Sequence, residues 1–270
     1  MFHKAYAFDI DDNLLHTNCT VFVEKWDGSE MQRCEIPESE LKAKLKEGRT
    51  YPNNDPEECY YNMRLGGGKL TQDLFDALDA KAYGPSWERF KLANLQASPI
   101  GIITARGHPI EDLRSAHQAL LHEAFTLEER EQFLEKMKLR LGEHRANSDR
   151  LIRDFFDMNY YAACANKDYS DSLQIPFDTP SSKKKVYAFD KFIEHIVALN
   201  QHGKINPHQK ALKIGFSDDS LENLSAVEEA IQNTFVLSYP EITFALYNTN
   251  NPRFVKKTLY ASAQNKEPEF

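Results

Sequence analysis

The sequence lacks a dense cysteine framework and any long apolar run. Its four cysteines, Cys19, Cys34, Cys59 and Cys164, are widely spaced and form no Cys-x-x-Cys pair, which argues against a zinc site or a disulfide scaffold. Free thiols in a reducing compartment are the simpler interpretation. No apolar stretch approaches the ~20 residues of a membrane span, and the first predicted strand begins too early for a signal peptide. We therefore expect a cytoplasmic protein with no membrane partner.

The sequence also lacks an excess of positive charge. Its 33 basic and 41 acidic residues give a net charge of −8, so no overall field attracts polyanions and any phosphate recognition must be local. With 270 residues, 41% hydrophobic and 11% aromatic, the chain can bury a substantial core. We expect one domain over residues 1–270, and the sequence indicates no particular oligomeric state.

The most informative segment is a short apolar run, Lys4–Phe8, followed by Asp9 and Asp11. Alternate residues of a strand share a face, so both carboxylates should emerge at the carboxyl end of the strand, where α/β sheets bind ligands. Two adjacent carboxylates need a cation or a shared proton. An EF-hand calcium-binding loop is excluded, because Leu14 stands where that loop needs a glycine and Thr20 stands where it needs a bidentate glutamate. The alternative to a metal site is a structural role, in which Asp9 and Asp11 only cap a turn.

Three further segments that could supply catalytic groups follow along the chain. Pro99–Gly107 is an apolar run that includes Thr104, Ser181–Lys185 opens a helical pattern, and Leu212–Asp219 ends in the pair Asp218 and Asp219. Together with Asp9 and Asp11, these motifs resemble those of the haloacid dehalogenase superfamily of phosphohydrolases, which fall in this order at the ends of parallel strands. The resemblance covers residues 1–18, 98–123 and 180–250.

Strands that alternate with helices predict a parallel sheet with right-handed crossovers. The resemblance implies a three-layer α/β/α Rossmann-like fold with a hairpin flap. Residues 20–36 have the pattern of a β-hairpin around a two-residue Asp27-Gly28 turn. The roughly 80 residues between the early motifs exceed a simple crossover, so we expect flap and cap insertions over 20–95 and 124–178.

Periodicity predicts helices at 70–80, 87–95, 127–141, 182–201 and 221–231. It predicts a strand over Tyr160–Ala165 and a last strand over Thr243–Tyr247, and residues 48–68 have the composition of an irregular connector. The remainder of 148–178 has no clear pattern.

The resemblance implies catalysis by aspartyl-phosphate chemistry. Asp9 would be the nucleophile, and Asp11 the general acid that later acts as a base. Thr104 would hydrogen-bond the phosphoryl group beside Ala105. Arg106 could also reach an anion, although a loop arginine is often only solvated.

A lysine should offset the charge of the nucleophile and the phosphoryl group. Lys183, Lys184 and Lys185 compete for this role. We favour Lys185, because apolar residues follow it at +4, +7, +8 and +11 and place it at the edge of a buried stripe. Lys184 is the second choice.

The resemblance implies a metal site formed by Asp9, the backbone carbonyl of Asp11, Asp218 and Asp219, with Asp218 as a direct ligand and Asp219 orienting water ligands or the lysine. Oxygen donors that leave room for phosphate indicate Mg²⁺. One position departs from the family pattern, since Asn13 stands where Thr or Val is usual.

These observations predict a Mg²⁺-dependent hydrolase, a phosphatase acting on a small phosphomonoester. Two alternatives stay open. The segment Phe216–Asn223 also resembles the phosphatases of nucleic-acid end repair, which would make the protein a nucleotide or polynucleotide-end phosphatase, although no basic track with aromatics is evident to hold a strand. The other is a catalytically silent protein of the same fold that binds a phosphate ligand.

Overall fold

The structure is a computed structural model that describes residues 2–52, 56–141, 147–201, 212–251 and 255–261. Its strands are β1 (Lys4–Phe8), β2 (Thr20–Trp26), β3 (Met31–Pro37), β4 (Thr50–Pro52), β5 (Ile100–Thr104), β6 (Tyr160–Ala163), β7 (Leu212–Asp218), β8 (Ile242–Asn248) and β9 (Lys256–Tyr260).

The α-helices are α1 (Leu41–Lys46), α2 (Pro56–Cys59), α3 (Lys69–Asp79), α4 (Trp87–Leu95), α5 (Ile110–Ala124), α6 (Leu127–Leu141), α7 (Ser148–Met158), α8 (Lys167–Ser172), α9 (Ser181–Gln201), α10 (Leu221–Ala230) and α11 (Val236–Ser238). A π-helical turn, Ile231–Phe235, joins α10 to α11. Short 3-10 turns occur at Glu38–Glu40 and Tyr61–Met63.

The centre of the molecule is a six-stranded sheet in the order β6-β5-β1-β7-β8-β9. Every neighbouring pair is parallel except β8 and β9. The predicted α/β class with a mostly parallel central sheet is therefore confirmed. Only the antiparallel edge strand β9 was not predicted, and Thr243–Tyr247 is thus not the last strand.

Helices lie on both faces of this sheet, because the side chains of the strands alternate between two apolar clusters. Ala5 and Ala7 of β1 face the cluster that contains α9 and α10, whereas Phe8 faces the cluster built with α3 to α7. Gly101 of β5 lets α9 approach closely, since a Cβ there would lie 3.1 Å from the ring of Phe192. Both faces are thus packed, as parallel sheets require.

The predicted hairpin forms a second, three-stranded sheet in the order β3-β2-β4. The two-residue Asp27-Gly28 turn is wrong, because Trp26 pairs with Met31 and four residues form the loop. The Asp27 carboxylate accepts the backbone N–H groups of Ser29 (2.8 Å) and Glu30 (3.0 Å). This side-chain cap stabilises the longer loop.

The stretches expected to be insertions belong largely to the layers around the central sheet. Within 124–178, β6 is an edge strand of that sheet, and α6 and α7 help to cover one face. Within 20–95, α3 and α4 pack on the same face. The expected irregular connector contains β4 and α2, while residues 53–55 and 142–146 of these stretches lie outside the described part. No described helix is both long and apolar enough to span a bilayer.

Candidate active site

The functional side chains meet where the central strands end. Register pairs Phe8 of β1 with Ile102 of β5 and with Ser217 of β7. Asp9, Thr104 and Asp218 therefore lie side by side at the carboxyl edge of three adjacent parallel strands. This juxtaposition follows from strand periodicity and parallel pairing, as the sequence predicted.

Lys185 joins two of these carboxylates. Its side chain is fully buried early in α9, with Nζ 2.9 Å from Asp9 Oδ2 and 2.7 Å from Asp218 Oδ2. Burial alone would lower the pKa of Lys185, but the carboxylates of Asp218 and Asp9 more than reverse this effect and raise it. The ammonium therefore stays charged and holds the nucleophile candidate and the metal-ligand candidate together.

The other two candidate lysines lie elsewhere. Lys183 is exposed, and Lys184 donates from Nζ to the backbone carbonyl of Phe177 at 2.6 Å. Consecutive residues of an α-helix diverge by about 100° around its axis, which explains why only Lys185 reaches Asp9. Lys185, the lysine favoured from the sequence, is thus the one that lies beside Asp9 and Asp218.

Asp218 is fixed by a small hydrogen-bond network. Its Oδ1 accepts the backbone N–H of Ser220 at 2.9 Å and the amide of Asn223 at 3.1 Å. The Asn223 amide also lies 3.3 Å from Oδ2. Asn223 therefore orients the carboxylate.

Asp9, Asp218 and Asp219 form a group that could hold a metal ion, with one ligand atom of each within 4.8 Å of the others. Burial and the neighbouring Asp218 raise the pKa of Asp9 well above its usual range, against the opposing effect of Lys185. Burial and Asp218 also raise the pKa of Asp219 to about 6. A cation would relieve this repulsion.

The atoms of this group fit a hard divalent cation. Asp9 Oδ1 is buried and has no hydrogen-bond partner among the described residues, a costly state for a carboxylate oxygen. All the donors are carboxylate oxygens, the type that Mg²⁺ prefers. The donor set therefore fits the predicted ion.

The Asp11 side chain lies outside the group formed by Asp9, Asp218 and Asp219. It lies against the fully buried Arg106, with Nε 2.9 Å from Oδ2 and Nη2 2.8 Å from Oδ1. Thr17 Oγ1 also donates to Oδ1 at 2.5 Å. Burial would raise the pKa of Asp11, but the Arg106 guanidinium reverses this effect and lowers it.

Arg106 therefore differs from both expectations, since it is neither solvated nor free to bind phosphate. Its Nη1 donates to Asp73 Oδ2 at 2.9 Å, and Asp73 also pairs with Lys69 of the same helix. Thr17 and Asp73 were not singled out from the sequence. Arg106 lies 33 residues from Asp73 and 89 residues from Thr17, whose hydroxyl accepts Arg106 Nη2 at 2.9 Å, and the local sequence carries no signal for either contact.

Thr104 and Ala105 lie where the motif predicted. Thr104 is fully buried at the end of β5, and its hydroxyl accepts the backbone N–H of Arg106 at 3.2 Å. Ala105 is exposed at the start of the following loop. The hydroxyl thus faces the loop that follows β5.

Asn13 has a structural role in this site. Its amide donates to the backbone carbonyls of Asp9 (3.0 Å) and Ser217 (3.1 Å). Its carbonyl accepts the hydroxyls of Ser217 and Thr249, both at 2.9 Å. Asn13 therefore fixes the loop after β1 to β7 and to the end of β8.

Comparisons with protein-family models, with curated proteins and with solved structures find no match. The function must therefore be inferred from the residues of the site.

Proposed function

We propose that the protein is a Mg²⁺-dependent phosphomonoester hydrolase that forms an aspartyl-phosphate on Asp9, as in the haloacid dehalogenase superfamily. One observation carries the proposal. The buried Lys185 ammonium bridges Asp9 and Asp218, while the second oxygen of Asp9 has no partner in the described part of the chain. A nucleophile, a fixed positive charge and a metal-binding carboxylate are thus adjacent.

In the first half of the reaction, an Asp9 oxygen attacks the phosphorus. The bond between phosphorus and the ester oxygen breaks, and a proton from Asp11 passes to that oxygen to release the alcohol. Lys185 offsets the negative charge of Asp9 as the two anions approach. Thr104, at the end of the neighbouring strand, offers its hydroxyl to the phosphoryl group.

In the second half, Asp11 takes a proton from a water molecule. The water oxygen attacks the phosphorus, the bond to Asp9 breaks, and inorganic phosphate leaves. Arg106 lowers the pKa of Asp11, which keeps Asp11 in the ionised form that accepts a proton but makes it a weaker base. In the first half, Asp11 must carry a proton, which requires its bond to Arg106 to loosen when the substrate binds.

Asp9, Asp218 and Asp219 would hold the Mg²⁺, and the resemblance adds the backbone carbonyl of Asp11. When bound, the ion supplies positive charge that neutralises the phosphoryl oxygens.

The same Asp11–Arg106 pair favours a second candidate function. A carboxylate held by two hydrogen bonds from a buried guanidinium is stabilised as an anion, and an acid that never accepts a proton cannot release the leaving group. A phosphate-ligand-binding protein without turnover would share every other feature of the site.

A panel of phosphate esters assayed with Mg²⁺ distinguishes the two functions. We expect hydrolysis that is lost after chelation and in Asp9→Asn, which conserves size but removes the nucleophile. Asp79→Asn is the matched control, because Asp79 is exposed at the end of α3. Turnover that persists in Asp9→Asn would contradict the mechanism. Mg²⁺-dependent ester binding without turnover would favour the binding protein.

A further inference from the structure

The strand β3 is an exposed edge of the three-stranded sheet. Among the described residues, it pairs with β2 on one side and with no strand on the other. Five of its seven residues are exposed, and the other two are half-buried. The backbone groups along an unpaired edge form a template on which another strand can pair.

The hydrogen-bond pattern shows which residues of β3 point to the open edge. In an antiparallel pair, hydrogen-bonded and non-hydrogen-bonded residue pairs alternate. The N–H of Glu38, just after β3, donates to the carbonyl of Cys19 at 2.8 Å. Cys34 lies an even number of positions from Glu38 in the same uninterrupted register, so its backbone groups also point to β2. The backbone groups of its two neighbours, Arg33 and Glu35, therefore point to the open edge.

A second copy of β3 is complementary to this edge in one register. Antiparallel pairing about a two-fold axis at Cys34 places Arg33 opposite Glu35 of the second copy, and symmetry repeats the pair. The two residues then exchange backbone hydrogen bonds, and their opposite charges attract. An axis at Arg33 would set arginine against arginine, and an axis at Glu35 would set glutamate against glutamate. Like charges directly opposite each other are destabilising, so the charges favour the axis at Cys34.

Both charged side chains keep polar atoms available for this contact, although each has partners in its own chain. Arg33 bonds Glu58 through Nη1. Glu35 accepts the Thr20 hydroxyl and the Asn62 amide, the latter at 2.8 Å, and both bonds end on Oε1. In the described part of the chain, Arg33 Nη2 and Glu35 Oε2 have no hydrogen-bond partner. The contacts within the chain therefore position the two side chains without saturating them.

The residue on the axis provides a chemical marker of this register. Cys34 is a free, half-buried thiol, whereas the other three cysteines are buried. On the axis it faces its own copy in a non-hydrogen-bonded pair, in which the Cα atoms lie about 4.5 Å apart. That separation falls within the range of roughly 4.4–6.8 Å that a disulfide spans.

We propose that two copies of this chain pair along β3, antiparallel and centred on Cys34, and join their three-stranded sheets into one. Backbone hydrogen bonds across the edge supply the attraction, and the Arg33–Glu35 pairs fix the register. This inference is independent of the proposed function, because none of its residues belongs to the candidate active site.

Sedimentation velocity of the full chain, in reducing buffer over a concentration series, measures the dissociation constant of the dimer. Arg33→Glu and Glu35→Arg each set like charges opposite one another, and each should raise this constant by about tenfold. The double variant with both substitutions restores opposite charges across the axis but not the contact with Glu58, and should return the constant close to the wild-type value. Lys46→Glu, on an exposed residue of α1, makes the same change in net charge as Arg33→Glu and should have no effect.

Oxidised glutathione tests the register. The two Cys34 thiols lose two protons and two electrons as the S–S bond forms, and oxidised glutathione accepts them to become two thiols. Peptide mapping should identify a Cys34–Cys34 disulfide between copies, and Cys34→Ser should stay unlinked. A wild-type protein that is monomeric at every concentration overturns the interface. So does a dissociation constant that neither single variant raises or that the double variant does not restore, or a disulfide between copies through another cysteine.

Discussion

Arg106 holds Asp11 through two parallel hydrogen bonds, Nε to Oδ2 at 2.9 Å and Nη2 to Oδ1 at 2.8 Å. The guanidinium is fully buried, and its third nitrogen, Nη1, donates to Asp73 at 2.9 Å. The Arg106 guanidinium thus links Asp11, which is proposed to act as both acid and base, to helix α3. Such planar, bidentate pairing is specific to arginine.

Replacing Arg106, and with it the two parallel hydrogen bonds to Asp11, should change the pH dependence of catalysis. Arg106→Lys keeps the charge but cannot donate two parallel bonds, so the pKa of Asp11, which the guanidinium lowers, should rise. The base step follows release of the alcohol and therefore affects kcat and not kcat/KM, so where dephosphorylation limits turnover the acidic limb of the kcat profile should move to higher pH. Arg114→Lys is the control, because Arg114 pairs with Asp157 away from the site. An acidic limb at the same pH in Arg106→Lys would contradict this role.

Asp73 should contribute to stability through the same contact. Asp73→Asn removes the charge that faces a buried guanidinium, and we expect a loss of about 3 kcal/mol in the free energy of unfolding. Asp76 lies one turn away and is exposed, so Asp76→Asn should have almost no effect. Urea unfolding of the three proteins measures the difference. Equal stability of Asp73→Asn and wild type would show that the contact is not stabilising.

The sequence was sufficient to predict the positions that lie at strand ends. Asp9, Thr104 and Asp218 follow apolar runs, and parallel pairing brings such ends together. Lys185 could be chosen because the buried stripe of α9 has a regular period.

Residues that act across long chain separations could not be predicted. Asp73 contacts Arg106 over 33 residues, and its own helical pattern marks it only as polar. Asn13 is a residue type typical of turns, yet its amide donates to the carbonyl of Ser217, 204 residues away in sequence. In both cases the partner is defined by the packed fold and not by local periodicity.

Metal binding should weaken as the pH falls. Burial and Asp218 raise the pKa of Asp219 to about 6, so protons compete with Mg²⁺ for this carboxylate below that pH. We expect Mg²⁺ affinity to fall by up to about tenfold per pH unit there. Calorimetric titration at several pH values provides the measurement, and Asp219→Asn should show a weaker pH dependence. Affinity that is constant from pH 7 to pH 5 would rule out Asp219 as a ligand.

His117 is a buried neutral histidine remote from the metal-ligand group. The Asn94 amide nitrogen donates to a backbone carbonyl, so its Oδ1 faces His117 Nε2 at 3.0 Å as an acceptor. Nε2 therefore carries the proton, and Nδ1 accepts the Tyr161 hydroxyl at 3.1 Å. Burial lowers the pKa of His117 from 6.5 to about 3.

This lowered pKa predicts acid sensitivity. Between pH 6.5 and pH 3 the unfolded chain binds a proton that the folded protein excludes, so stability is complete above pH 6.5 and falls as the pH drops. At pH 5 the loss should be about 2 kcal/mol. His117→Gln should remove this part of the pH dependence, whereas His122→Gln, on an exposed histidine, should not. Parallel pH dependences of wild type and His117→Gln would show that His117 titrates normally.

The covalent intermediate on Asp9 is the central claim, and mass spectrometry of the acid-quenched protein tests it most directly. After mixing with a hydrolysed ester and Mg²⁺, the wild-type protein should gain the mass of one phosphoryl group. Peptide mapping should place that group on Asp9, and Asp9→Asn should carry none. Phosphate release at the normal rate with no phosphoryl group on Asp9, or with the same modification in Asp9→Asn, would contradict the mechanism.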